Sequence, residues 1–152
     1  MVLPASTANE MFVRITKEVR VKASLEATFE ALLEELGPYH QVADDRPLPM
    51  KLEAWPGGRW YRDLGDQNGH FWGHVQAIKR PTLLEITGPL FMSNAAASNI
   101  QYRLTAVDGG TLIAFVHSAM GLIPEEHRTG MESGWSYSIE RVRARAEAAS
   151  RK

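Results

Sequence analysis

Three side chains in this sequence could move a proton or hold an anion, and His117 is the first of them. The residues around it alternate as in a β-strand, which places Ile113, Phe115 and His117 on one face. His117 then points into an otherwise apolar interior, where a buried imidazole needs a hydrogen-bond partner. Two interpretations are open. The imidazole could bind a ligand or act as an acid or base, or it could be a core histidine whose partner is Tyr102 or the backbone.

Tyr102 and Arg62 are the other two candidates. Tyr102 shares the inner face of the preceding predicted strand and could supply a proton to a bound molecule. Arg62 follows Trp60 by two residues, so it points inward if Trp60 does, and an inward guanidinium would suit an anionic ligand. A one-residue β-bulge would turn Arg62 outward instead. These residues are candidates only, and none is assigned a catalytic role from the sequence.

No metal, cofactor or nucleotide site is predicted. His70 and His74 have the spacing of a metal-binding pair on a helix, but on a strand they would lie roughly 13 Å apart, at about 3.3 Å per residue. Asp44 and Asp45 are adjacent in a polar loop, which is typical of solvated side chains. The chain has no cysteine, which excludes thiolate metal sites, cysteine nucleophiles and disulfides. No glycine-rich loop precedes a helix in the way that phosphate binding requires.

Length and charge narrow the class of protein. The chain has 152 residues, of which 44% are hydrophobic and 23% charged, and its net charge is −1; these values are typical of a globular domain with one core. A net charge so close to zero provides no broad positive field that would attract nucleic acid. No apolar run approaches the ~20 residues of a membrane span. We expect a flexible N-terminus over residues 1–10 and a single domain over residues 11–152. The lack of a signal-peptide pattern predicts a cytoplasmic location.

The spacing of apolar residues predicts the elements that must position these side chains. Residues 12–21 alternate as a strand, and Ser24 caps a short helix that ends at Gly37-Pro38. Strands with short, antiparallel connections follow over residues 51–55, 59–64, 70–78, 83–87, 98–106 and 111–120. A long helix begins at Pro124. Its apolar stripe recurs at spacings of three and four residues and consists of Met131, Trp135, Ile139, Val142, Ala146 and Ala149.

Two other features of this helix have structural interpretations. Gly130 and Gly134 are four residues apart, and we expect them to lie on one face and let the helix approach a strand closely. The basic residues near the C-terminal end suit the helix dipole, and we expect them to form a solvated helix end. They are Arg141, Arg143, Arg145, Arg151 and Lys152.

A long amphipathic helix must bury its apolar stripe, and the sheet offers the one apolar face that is large enough. The predicted fold class is therefore α+β, with a curved antiparallel sheet wrapped around a long C-terminal helix and a short helix after the first strand. Short motifs occur in order along the chain: Pro56-Gly57-Gly58-Arg59-Trp60, Gly73-His74-Val75, Pro81, Leu84, Gly110-Thr111, His117-Ser118 and Gly134-Trp135. Through these motifs the chain resembles the SRPBCC superfamily, the START/Bet v 1-like helix-grip fold, over residues 12–148. The closer resemblance is to the branch named after the heat-shock protein 90 ATPase activator homologue.

This resemblance implies a cavity between sheet and helix that holds a ligand. The residues expected to line it are Trp60, Phe71, Val75, Ile100, Tyr102, Phe115, His117, Met131 and Trp135. The alternative is that these side chains simply fill the core. Trp72 falls on the outer face of its strand and would be exposed unless a loop or the second subunit of a homodimer covers it.

Three functions follow from the resemblance. The first is binding of a small, mostly hydrophobic molecule, with no further cofactor. The second is an enzyme of the cyclase or hydratase type that uses the same cavity, with His117, Tyr102 or Arg62 in the acid–base or anion-holding role. The third is interaction with a chaperone, which only the name of the branch suggests.

Overall fold

The computed structural model describes residues 11–151, and the predicted flexible stretch 1–10 lies outside this range. In chain order the described elements are β1 (Phe12–Val21), α1 (Leu25–Leu36), β2 (Gln41–Val42), β3 (Arg46–Pro47), β4 (Lys51–Leu52), β5 (Arg59–Gly65), β6 (Asn68–Lys79), β7 (Leu83–Gly88), β8 (Ala96–Val107), β9 (Gly110–Gly121) and α2 (Glu125–Ser150). Seven strands form an antiparallel sheet in the order β1-β9-β8-β7-β6-β5-β4, and β2 pairs with β3 separately. The α+β helix-grip prediction is confirmed.

Helix α1 begins and ends where its capping residues predict. The Ser24 hydroxyl accepts a hydrogen bond from the backbone N–H of Ala27 (3.1 Å), which satisfies one of the free donors of the first turn. At the other end the backbone N–H of Gly37 donates to Glu34. The chain then turns into the segment that carries β2 and β3, which places this segment beside the first half of α2.

Helix α2 buries the predicted apolar stripe against the sheet. Its buried side chains are Met131, Trp135, Ile139, Val142 and Ala146, and Ala149, the last residue of the predicted stripe, is exposed. The opposing inner face of the sheet includes Ile100, Tyr102, Ile113, Phe115 and His117, all of them buried. The alternation predicted for β8 and β9 is therefore confirmed.

The C-terminal half of α2 is tied to α1 by ion pairs. Glu35 is only 3% exposed, and its carboxylate accepts hydrogen bonds from Nε of Arg141 (3.1 Å) and Nε of Arg145 (3.0 Å). The Arg145 guanidinium also lies 4.2 Å from the centre of the Tyr39 ring, in the range of a cation–π contact. The expectation of a solvated helix end is wrong for these two arginines, because they neutralise a buried carboxylate on the neighbouring helix.

A β-bulge in β6 reverses the predicted orientation of two aromatic residues. Trp60 on β5 pairs with Gly73 and Tyr61 pairs with Phe71, so Trp72 is the extra residue. Trp72 therefore turns inward beside Gly73 and is 7% exposed, whereas Phe71 is 39% exposed. The predictions of an inward Phe71 and an outward Trp72 are wrong, since both assumed strict alternation through the bulge.

Candidate functional site

A cavity of about 320 Å³ lies between the first half of α2, the segment that carries β2 and β3, and the sheet. The sheet contributes Trp60 from β5 and Trp72 from β6, and the connection after β7 contributes Phe91. The helix contributes Met131 and Trp135. Each part of the wall thus comes from a different segment of the chain, and the curvature of the sheet around α2 brings these segments together.

The aromatic rings of the cavity wall contact one another edge to face. The ring centres of Trp60 and Trp72 are 4.9 Å apart at an interplanar angle of 79°, and those of Trp72 and Phe91 are 6.1 Å apart at 70°. Such T-shaped pairs are the arrangement that aromatic quadrupoles favour. Two histidines extend this cluster, because His40 lies 5.7 Å from Trp72 and His127 lies 5.7 Å from Phe91.

The indole N–H groups of the wall are satisfied within the protein. Trp60 Nε1 donates to the carbonyl oxygen of Leu36 (2.7 Å). Trp72 Nε1 donates to His70 Nδ1 (3.0 Å), and Trp135 Nε1 donates to His117 Nδ1 (2.9 Å). Because buried polar groups need partners, these bonds fix the orientation of the rings. They leave a wall that offers mainly apolar surface to a ligand.

His117 serves this arrangement as a positioning residue and does not lie in the cavity wall. Its Nδ1 accepts the indole hydrogen bond of Trp135, so in the neutral ring Nε2 carries the proton and donates to Ser98 Oγ (2.9 Å). Burial lowers the pKa of His117 to about 4, which keeps the imidazole neutral. Of the two interpretations, the structure favours a satisfied core histidine, but its partners are Trp135 and Ser98 where the sequence suggested Tyr102 or the backbone.

Tyr102 and Arg62 also lie away from the cavity wall. Tyr102 is fully buried against Phe115, with ring centres 4.9 Å apart, and its hydroxyl has no hydrogen-bond partner within residues 11–151. Burial raises the pKa of this phenol. Arg62 is half-buried on β5, opposite His70 of β6. The three candidates for acid–base or anion-binding chemistry are therefore not brought together around one space.

The residues that were predicted to line a cavity fall into three groups. Trp60, Met131 and Trp135 lie in the wall. Phe71 lies on the outer side of the sheet, where its ring is 4.8 Å from that of His74. The remaining residues are buried on the inner face of the sheet but outside the wall: Val75, Ile100, Tyr102, Phe115 and His117. For this last group the core-filling interpretation describes the packing, and a ligand contact stays a prediction.

Several wall residues were missed by sequence reasoning, and one of them is the titratable side chain of His40. It is 9% exposed, and its Nδ1 lies 3.2 Å from the carbonyl oxygen of Leu48. Burial is the main cause that lowers the pKa of His40, and the hydrogen bond to Leu48 opposes this effect. The segment of residues 39–49 has no periodicity that would have pointed to a buried side chain. Trp72 did carry a signal, since strict alternation would have left its large indole exposed.

The two glycines of α2 leave open space where close packing was expected. Gly130 and Gly134 both lie at the cavity, and a Cβ atom added at either position would meet no atom within 4 Å. The prediction that they let the helix approach a strand is therefore wrong. Each glycine weakens a helix by about 1 kcal/mol relative to alanine. The helix is therefore intrinsically less stable at the two positions that border the cavity.

Polar contacts link the β2–β3 segment to the helix at the rim of the cavity. The Tyr137 hydroxyl donates to Asp45 Oδ1 (2.7 Å) and lies 3.3 Å from Gln41 Oε1. Within residues 11–151 no group of three or more His, Asp or Glu side chains could hold a metal ion. In the same range no helix has the length and apolar character needed to cross a membrane.

Comparison with known proteins places this geometry in a family. The family model described as Activator of Hsp90 ATPase homolog 1-like protein matches residues 22–147. The chain belongs to this family. The match confirms the SRPBCC superfamily and its branch of activator-homologue-like proteins. A search of curated proteins gives no significant match.

Solved structures share the fold of this chain at low sequence identity. An uncharacterised protein from Rhizobium leguminosarum is 18% identical, with 90% of this chain and 95% of that chain covered and a TM-score of 0.71. Ara h 8.0201 is 12% identical, with 90% and 99% covered and a TM-score of 0.64. The di-domain ARO/CYC StfQ of the steffimycin biosynthetic pathway is 10% identical, with 97% and 54% covered and a TM-score of 0.69. These likenesses concern the fold alone.

Proposed function

We propose that this protein binds a small, mostly apolar molecule in the cavity between the sheet and α2. The observation that carries the proposal is the aromatic wall, whose indole N–H groups all donate to protein acceptors. A ring-shaped apolar ligand can pack on such a surface without leaving a buried donor unpaired. The volume of about 320 Å³ lies at the lower end of the ~300–1,000 Å³ range of ligand pockets. It suits a small ring system better than a long acyl chain.

Binding is a better account of this cavity than a cyclase- or hydratase-type reaction. A general acid or base must come within hydrogen-bond reach of the reacting atom. His117 has both ring nitrogens engaged, and neither Tyr102 nor Arg62 lies in the cavity wall. The ARO/CYC name belongs to a structural neighbour, and a chaperone role rests on the name of the family alone.

The substitution Gly134→Leu is expected to weaken binding of an apolar probe while the protein stays folded. The new side chain would occupy open space at the cavity, and replacing a helical glycine by leucine favours the helix by roughly 0.5–1 kcal/mol. Equilibrium dialysis with naphthalene should therefore show at least about a tenfold rise in the Kd, and thermal unfolding should show an unchanged or higher Tm. A loss of binding together with a retained Tm cannot be attributed to unfolding.

Ser133→Leu is the matched control. Ser133 is the exposed neighbour of Gly134 on α2 and does not lie in the cavity wall. The substitution introduces the same side chain outside the cavity, so naphthalene should bind this variant as tightly as it binds the wild type. Equal binding by wild type and Gly134→Leu would contradict the cavity as the binding site. Failure of the wild type to bind naphthalene or related ring compounds would contradict the proposed function itself.

A further inference from the structure

One polar side chain of the cavity is held in place with a ring nitrogen that has no hydrogen-bond partner within residues 11–151. We infer that Nε2 of His40 accepts a hydrogen bond from a hydroxyl group of the bound molecule. The ligand class is then a neutral ring compound that carries a hydroxyl donor, such as a phenol. This inference rests on the proposed function and deepens it, because it adds a specific polar requirement to an otherwise apolar site.

The hydrogen bond to Leu48 fixes which ring nitrogen of His40 carries the proton. His40 Nδ1 lies 3.2 Å from the Leu48 carbonyl oxygen, and a carbonyl oxygen can only accept, so Nδ1 is the protonated nitrogen. The neutral ring then has its lone pair on Nε2. The backbone holds the residue on both sides, since His40 N–H donates to Gly37 (3.2 Å) and Leu48 N–H donates to His40 (2.9 Å).

The surroundings of His40 are largely aromatic, and little of its side chain is exposed. The side chain is 9% exposed, and its ring meets Trp60 at 6.3 Å and Trp72 at 5.7 Å, both edge to face. Within residues 11–151, Nε2 makes no hydrogen bond. An acceptor that loses water without gaining a partner is costly, so a hydroxyl donor in the cavity would bind Nε2 in preference to an apolar group of the same shape.

The charge state of His40 favours a donor over an anion as its partner. Burial is the main cause that lowers the pKa of the ring. The negative charge of Glu35 raises this pKa, and the positive charge of Arg141 lowers it. A neutral imidazole has an acceptor at Nε2 and no positive charge for a carboxylate or phosphate. Hydroxyl recognition of this kind gives strong discrimination, because an analogue without the hydroxyl leaves the buried acceptor unpaired.

His127 is the other histidine of the wall and is less well defined. Its Nδ1 is buried without a hydrogen-bond partner among the described residues, and its ring packs against Phe91 at 5.7 Å. Within residues 11–151 no carbonyl oxygen accepts a hydrogen bond from its ring, so its tautomer is not fixed in the way that the tautomer of His40 is. The hydroxyl requirement is therefore assigned to His40.

The test compares 2-naphthol with naphthalene, which has the same rings and no donor. The readout is the ratio of the two Kd values, measured by equilibrium dialysis. In His40→Asn the side-chain amide can still donate to the Leu48 carbonyl, but nothing replaces Nε2. We expect the preference for 2-naphthol over naphthalene to fall about tenfold in this variant, the factor that one net hydrogen bond is worth, while naphthalene binding changes little.

Two controls separate this inference from a structural role and from the proposed function. His74→Asn makes the same change at an exposed residue of the outer sheet face and should leave the ratio unchanged. If both probes bind and His40→Asn keeps the wild-type ratio, or weakens both probes equally, the inference is overturned and the proposed function stands. If neither probe binds the wild type, both are overturned.

A measurement on the wild type avoids any dependence on folding of the variant. The ¹⁵N resonance of His40 Nε2 should move from the position of a free lone-pair nitrogen toward that of a hydrogen-bonded one when 2-naphthol is added. Naphthalene should not produce this shift. A resonance that responds identically to both probes would overturn the inference.

Discussion

Replacing both Arg141 and Arg145 by alanine is expected to lower the Tm by roughly 6–12 °C. Their guanidinium groups neutralise Glu35, whose side chain is 3% exposed. Removing the partners of a buried charge typically costs about 3–5 kcal/mol, and each kcal/mol lowers the Tm of a protein of this length by ~2–4 °C. The lower end of that range applies here, because both arginines are about one-quarter exposed. Thermal unfolding followed by circular dichroism measures the shift.

The origin of this loss is tested by adding Glu35→Met to the double variant. Methionine removes the buried charge and retains apolar volume, so the triple variant should recover a large part of the lost stability. Arg143→Ala is the matched single control, since its pair with Glu140 is exposed on both sides and should contribute little to stability. If the triple variant is no more stable than the double variant, the unpaired carboxylate is not the cause.

Acidification from pH 6.5 to pH 4 is expected to destabilise the protein, with His117 as a main contributor. The pKa of this imidazole is lowered by burial to about 4 in the folded state, from an ordinary value of 6.5. Between these two pH values the unfolded chain binds a proton that the folded chain does not, so stability falls as the pH falls. The contribution is fully present above pH 6.5. A pKa displaced by this amount corresponds to about 3 kcal/mol.

A comparison with His117→Gln isolates this effect. Glutamine does not titrate, so urea unfolding of the variant should show a smaller loss of stability between pH 6.5 and pH 4. The buried His40, whose pKa is also lowered by burial, should give the variant a residual slope of the same sign. Glu53 stays ionised throughout, because hydrogen bonds from Arg59 lower its pKa to about 2. An identical slope in wild type and variant would show that His117 does not titrate in this range.

The sequence predicts elements well wherever apolar periodicity runs without interruption. The stripe from Met131 to Ala146 recurs at helical spacing and is buried as expected. The alternation through β8 and β9 places Ile100, Tyr102 and Phe115 inside. Ser24 and Gly37 mark both ends of α1 because capping depends on local backbone geometry alone.

The alternation of apolar residues fails to predict side-chain orientation where a β-bulge adds one residue to a strand. The bulge at Trp72 results from pairing with β5, and pairing is a property of two strands that neither sequence reveals by itself. One extra residue was enough to exchange the positions of Phe71 and Trp72. The Gly73 that follows was visible in the sequence, but a glycine in a strand is compatible with a bulge or with close approach of a neighbour.

The candidate site was predictable only in part, because some of its wall residues come from segments without regular structure. Trp60, Met131 and Trp135 lie on strand and helix, and their positions follow from periodicity. His40 lies between a helix and a short hairpin, and its burial depends on the backbone bonds that connect it to Gly37 and Leu48. The open space beside Gly134 is likewise invisible in the sequence, since glycine is compatible with both tight packing and absence of contact.

The distribution of tryptophan gives this protein a built-in optical reporter. Of its four tryptophans, Trp60, Trp72 and Trp135 form part of the cavity wall, whereas Trp55 is 58% exposed. A molecule that enters the cavity changes the surroundings of three indoles at once and leaves the fourth in water. Intrinsic fluorescence therefore reports occupancy without any label, and Trp55 supplies a solvent-exposed reference within the same spectrum.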